Sequence, residues 1–162
     1  MRGDKKMTVA QMIKQIQEGW DGSNKGPRVI FLFERGAYFD GDLRYRIEEE
    51  DDEYWFYGSG SGRFDMKEYR FRLSEEDVDM LKDHVLQAKD WPEENNAVGV
   101  LDGYYWVIYY DYKGLTINTS GYMKFPEGFK IIIGNIQLYM EHLCLTYAED
   151  DYDCCWEKRV TF

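Results

Sequence analysis

Cysteine, proline and histidine are scarce in this chain of 162 residues: three, three and two respectively. Cys144, Cys154 and Cys155 are odd in number and two are adjacent, so they make a poor disulfide framework; a reducing, cytoplasmic location is expected. His84 and His142 sit at metal-ligand spacing from no cysteine or carboxylate motif, so both read as helix-edge packing residues and no metal site is expected. No apolar run approaches the ~20 residues that span a bilayer, and the N-terminus lacks the apolar core of a signal peptide. There is no Gly-x-Ser-x-Gly elbow, no His-Glu-x-x-His helix and no Walker sequence. No catalytic residue is therefore singled out, no cofactor is implied, and the balance of motifs is against an enzyme. Carboxylate pairs for acid/base chemistry stay open, because their separation is spatial rather than sequential. Positive charge is also in short supply. The formal charge is −11, with +3 on residues 1 to 28 and hence −14 on the remainder. Phosphates and anionic lipids are repelled by such a surplus, which excludes direct nucleic-acid and membrane binding and favours a basic protein partner.

What the chain has in quantity is aromatic residues, 17% of the total. They concentrate between Val98 and Thr119. Asp102-Gly103 favours a tight hairpin turn. Tyr104 to Tyr112 then sets Tyr104, Trp106, Ile108, Tyr110 and Tyr112 on one strand face, with Tyr105, Val107 and Tyr109 on the other. Both faces are apolar or aromatic, so an interior strand covered on both sides is expected. Lys113-Gly114 makes a second turn before a strand over Leu115 to Thr119.

The rest of the chain reads as alternating strands with helices between them. Residues 1 to 7 are expected to be frayed, and Thr8 caps an amphipathic helix carrying Val9, Met12, Ile13, Ile16 and Trp20. Strands are expected over Arg28 to Glu34, Asp42 to Ile47, Tyr54 to Tyr57 and Lys67 to Leu73, and at the end over Arg159 to Phe162. Ser74 caps a helix from Glu75 to Lys89 with a Val78, Leu81, Val85, Ala88 stripe, and Glu93 to Ala97 reads as a polar loop. Phe129, Ile132, Ile133, Ile136, Met140 and Leu143 recur at helical spacing from Glu127 to about Leu145, with strand as the alternative for the run Phe129 to Ile133. The sum is a single α+β domain: a mainly antiparallel sheet of six or seven strands with two or three helices, mostly on one face.

Three stretches invite a functional reading. Gly58 to Gly62 (Gly-Ser-Gly-Ser-Gly) has the glycines of a phosphate loop, but it is followed by a strand and preceded by carboxylates, so a flexible hairpin loop is expected. Glu48, Glu49, Glu50, Asp51, Asp52 and Glu53 form an unbroken acidic run without the alternate spacing and glycine of a calcium loop; it reads as a solvated turn facing a partner. Glu149, Asp150, Asp151 and Asp153 add a second acidic cluster. Against these, Arg44, Arg46, Arg70 and Arg72 leave two strands on the side opposite the apolar residues. They form a stripe that would either pair with Asp42, Glu48 and Glu68 or hold a small anion or nucleotide.

The segment Tyr69 to Leu145 resembles a group of small uncharacterised bacterial proteins of clostridial or phage type. The shared features are Tyr-Arg-Phe leading into Leu-Ser-Glu-Glu (Tyr69 to Glu76), Trp91, Asp-Gly-x-x-Trp (Asp102 to Trp106), and Ser120-Gly121 before Pro126-x-x-Phe129. The resemblance implies a bacterial or phage origin and carries over no catalytic residues. The functional expectation is a non-enzymatic inhibitor or immunity-type module that engages a basic, nucleic-acid-binding surface, with carboxylates at about phosphate spacing acting as a nucleic-acid mimic. A small-anion or nucleotide site on the arginine stripe is the alternative, and a structural or assembly component a further one.

Overall fold

The computed structural model describes residues 27–37, 39–99 and 103–148. Seven strands form one sheet: β1 (Arg28–Ala37), β2 (Gly41–Glu50), β3 (Glu53–Gly60), β4 (Met66–Leu73), β5 (Glu94–Asn96), β6 (Tyr104–Tyr112) and β7 (Leu115–Tyr122). Two helices, α1 (Glu75–Val85) and α2 (Phe129–Ala148), complete an α+β fold. The strand order is β4-β3-β2-β1-β6-β7-β5, antiparallel throughout except for the short parallel pairing of β5 with β7.

The centre is β1 beside β6, the two most apolar strands. Phe31, Phe33, Trp106, Ile108 and Tyr110 pack beneath the helices. On the opposite face Val29, Leu32, Val107 and Tyr109 form a smaller buried cluster, so β6 is interior and covered on both sides as its sequence requires. A register shift between Val29 and Phe31 lets Ile30 and Phe31 both reach the helix side, each fully buried. At ~1.5–3 kcal/mol for each fully buried large apolar side chain, this ridge is the main stabilising feature.

Each helix contributes one stripe. Ser74 caps α1 by accepting the Asp77 amide at 3.2 Å, and Val78, Leu81 and Val85 are buried; the chain then tightens into a 3-10 turn over Leu86–Ala88 rather than continuing as α-helix to Lys89. In α2 the Phe129 to Ile133 run is helical. Phe129, Ile132, Ile133, Ile136, Met140 and Leu143 all face the core, and a Cβ on Gly134 would meet no neighbouring element within 4 Å.

Parts of two loops expected from sequence are strand instead, Gly58 to Gly60 and Glu94 to Asn96. Gly58 and Gly60 belong to β3 because bulk is excluded there: a Cβ on Gly58 would meet the Tyr45 and Phe56 rings at 3.1 Å, and one on Gly60 would meet the Phe64 carbonyl at 2.1 Å. Glu94 to Asn96 forms β5, held by the buried Asn95, whose amide donates to the carbonyls of Pro92 (2.9 Å) and Ser120 (3.0 Å). The expected Thr8 to Trp20 helix, the Asp102 half of the expected turn, Cys154, Cys155 and the Arg159 to Phe162 strand lie outside the described residues. No helix among the described residues is long and apolar enough to cross a membrane.

Candidate functional site

The acidic run is not one solvated turn. Glu48 to Glu50 end β2 and Glu53 opens β3, with only Asp51 and Asp52 between them. Both turn residues have positive φ (54° and 64°), the geometry of a two-residue hairpin that aspartate tolerates. The strands extend this far because their carboxylates find partners. Arg28 reaches Glu49 at 3.5 Å and Asp111 at 3.0 Å, Arg46 reaches Glu48 at 2.7 Å, and Arg72 reaches Glu53 at 2.9 Å.

The meander brings a second acidic segment to the same end of the sheet. Since β4 ends at Leu73, opposite Tyr54, α1 must start beside the β2–β3 turn. Glu75, Glu76, Asp77 and Asp79 therefore join the turn carboxylates. Lys113, in the β6–β7 turn, is clamped between Glu75 and Asp79 at 2.9 Å each, and those two hydrogen bonds raise its ammonium well above the ordinary lysine value. Asp77 is engaged by the Ser74 and Tyr147 hydroxyls. Glu50, Asp51, Asp52 and Glu76 have no cation within ion-pair range among the described residues and form the uncompensated tip of this acidic pole. In the sequence α1's carboxylates read only as helix-end residues; the clue to more was the strand length, which fixes where the helix must begin. Glu149, Asp150, Asp151 and Asp153 lie outside the described residues.

The four arginines do share the sheet face opposite the helices, but they do not converge on one point. Arg44 is bound by Glu34, across the β1–β2 ladder, through both Nε and Nη2 at 2.6 Å. Arg46 lies 4.6 Å over the Tyr57 ring, and Arg70 lies 4.7 Å over Trp55 and 5.9 Å from Tyr57. Together with Ser59 and Glu68, these three arginines line a concavity of about 340 Å³. Arg72 lies outside it, exposed and paired with Glu53. Among the described residues Arg44, Arg46 and Arg72 thus each have a carboxylate, whereas Arg70 has rings.

The Arg44–Glu34 pair is asymmetric: the Glu34 side chain is 6% exposed and that of Arg44 is 50%. Burial acts against the guanidinium charge, yet Glu34 and then Asp42 raise its pKa overall. Tyr105 closes the group by donating to Asp42 at 3.3 Å. Arg44→Met should therefore cost about 2–3 kcal/mol in a denaturant melt, below the ~3–5 of a fully buried pair, because it strands a buried carboxylate. Glu34→Gln should cost less than about 1 kcal/mol, since the amide still accepts and the arginine is half solvated. Equal losses would show that Glu34 is not the desolvated partner.

His84 stacks on Tyr139 at 4.6 Å, and Cys144 is buried. Among the described residues no three His, Cys, Asp or Glu side chains converge as metal ligands. No protein-family model, no curated protein and no solved structure matches this chain.

Proposed function

We propose that the protein is a non-enzymatic binding module whose acidic pole engages a basic surface of a protein partner. The observation that carries this reading is the junction of two acidic segments, Glu48 to Glu53 and Glu75 to Asp79, at one end of the sheet, where Glu50, Asp51, Asp52 and Glu76 have no cation in ion-pair range among the described residues. Carboxylates presented on two elements spread over a wider footprint than one loop offers, as required to replace a run of phosphates on a nucleic-acid-binding surface. The partner class that fits is a nucleic-acid-binding protein, and the consequence of binding is inhibition by occupancy. The small-anion alternative is less well supported, because Glu34, Glu48 and Glu53 already neutralise three of the four arginines it would use.

The test compares three forms of the chain as bait in a bacterial lysate. One is unaltered; one carries Glu50→Gln, Asp51→Asn and Asp52→Asn; and one carries Glu93→Gln, Glu94→Gln and Glu127→Gln, exposed positions toward the opposite end of the sheet. Asparagine accepts positive φ, so the turn is preserved. A protein retained by the first and third forms, lost by more than about tenfold on the second, weakened between ~50 and ~200 mM salt and displaced by duplex DNA is the expected result. Equal retention by the two altered forms would remove the pole from the function.

A further inference from the structure

At the other end of the sheet from the acidic pole, a cleft of about 530 Å³ opens between β1, β6 and the start of α2. Its volume falls within the ~300–1,000 Å³ of small-molecule sites. The walls are apolar: Tyr104, Phe125, Phe129 and Ile131, of which Phe125 is 45% and Ile131 69% exposed. In a protein with a charge of −11, such a surface would be expected to carry acidic groups or none. It carries two cations instead, Arg35 and Lys130.

Arg35 is unlike most of the other arginines. Arg28, Arg44, Arg46, Arg63 and Arg72 each lie within 4 Å of a carboxylate, whereas among the described residues none lies in that range of Arg35. Its guanidinium is held between the rings of Phe64 (5.5 Å) and Tyr104 (5.3 Å), which fixes the plane of the fork. One terminal nitrogen donates to Gln137 Oε1 at 2.9 Å, and Gln137 in turn donates to Glu141 at 3.1 Å, so the nearest acid is reached only through a neutral amide. Among the described residues Arg35 Nε is buried without a hydrogen-bond partner, and the Tyr104 hydroxyl, also buried, has only the Arg35 guanidinium beside it. A buried N–H without an acceptor is costly and would ordinarily be bonded. Burial raises the Tyr104 pKa, so its hydroxyl remains a donor near neutrality. The first turn of α2, a helix of 20 residues, forms the facing wall with the positive end of its dipole.

We propose that this cleft binds a small amphiphilic carboxylate. The carboxylate lies against the Arg35 guanidinium, and an aryl or alkyl body lies along Phe125, Phe129 and Ile131. A carboxylate matches the planar fork in a bidentate way and neutralises its charge, which a neutral ligand does not. The two requirements, an anion at the floor and apolar contact at the mouth, define the class. Arg70 also has no carboxylate within 4 Å among the described residues, but it lies beside Glu68 in a concavity without this apolar wall.

The test is titration of the whole chain with sodium octanoate and with 4-phenylbutyrate, each against the alcohol of the same carbon skeleton. The readouts are the dissociation constant and the NMR shifts of Arg35 Nε–H and the Lys130 and Ile131 amides. Both acids should bind saturably and at least tenfold more tightly than their alcohols, with the largest shifts at those three groups. Arg35→Met should erase the preference for acid over alcohol. Should that variant fail to fold, Ile131→Glu, at an exposed position outside the core, should weaken acid binding by at least tenfold and leave the fold intact. Absence of saturable binding, equal affinity for acid and alcohol, or shifts centred on Arg70 would each overturn the proposal. The pole variants of the binding test leave this cleft untouched, so failure of one reading does not carry the other with it.

Discussion

Replacing Gly121 by alanine is expected to cost the protein about 3–5 kcal/mol and roughly 10 °C in melting temperature. Gly121 sits opposite Trp106 in the β6–β7 ladder, and the indole lies across it. A Cβ there would meet Trp106 Nε1 at 2.3 Å, Cε2 at 2.4 Å and Cζ2 at 2.5 Å, contacts at which the ring must move. It has nowhere to go. Trp106 is fully buried, packed by Trp91 at 5.6 Å and Phe129 at 5.1 Å, and its Nε1 donates to the Lys124 carbonyl at 3.1 Å. Displacement adds a broken buried hydrogen bond, itself about 1–3 kcal/mol, to the strain of overpacking. The cause is testable by a double-mutant cycle. Trp106→Phe removes the colliding edge, so the Gly121→Ala/Trp106→Phe protein should be more stable than the sum of the single losses predicts. A single variant that melts within a degree or two of the parent would contradict the geometry.

The second large effect is alkaline unfolding. Burial raises the pKa of Tyr54, Tyr104, Tyr105, Tyr110, Tyr112, Tyr139 and Tyr147, half of the fourteen tyrosines; Tyr110 is pushed up to about 12. Neighbouring carboxylates add to it: Asp42 and Glu34 at Tyr105, Asp79 at Tyr110 and Asp77 at Tyr139. In the unfolded chain these phenols ionise near pH ~10, so above that pH the folded state holds more protons than the unfolded one. Stability from these groups is therefore complete below about pH 10 and is lost as the pH climbs through the raised folded-state values. Tyr110 alone, 1% exposed, represents roughly 2–3 kcal/mol over that window. Phenolate absorbance should rise in one step together with the loss of β-sheet circular dichroism. A gradual rise, with most tyrosines ionised while the sheet signal persists, would show that the phenols are not held neutral by the fold.

How much of this was legible beforehand depended on whether one strand's pattern settled the matter or two distant segments had to be compared. Tyr104 to Tyr112 announced an interior strand because both of its faces are apolar, and Ser74 announced its helix through side-chain chemistry acting within one turn. By contrast, Glu48 to Glu53 looked like an exposed loop because the partners that keep its ends in the sheet, Arg28 and Arg72, come from other strands. Asn95 gave no strand signal at all. Its place in β5 rests on hydrogen bonds to Pro92 and Ser120, which no local periodicity encodes. The pairing of Arg44 with Glu34 was missed for the same reason: Asp42 was nearer in sequence, but the β1–β2 register puts Glu34 directly opposite. The cleft at Arg35 was invisible because Arg35 and Tyr104 lie diagonally across the β1–β6 ladder, on strands far apart in the chain, and α2 supplies the remaining wall.

The pairing of β1 with β6 has a consequence for how the chain is made. The strands β1 to β4 close on one another through short connections, as do β6 and β7, but Phe31 must wait for Tyr110. Closing so long a loop is the entropically expensive step, and it sets the pace of folding. During synthesis from the N-terminus, Val29-Ile-Phe-Leu-Phe33 therefore stands as an open sheet edge until β6 has left the ribosome, which makes this segment the place where aggregation would begin.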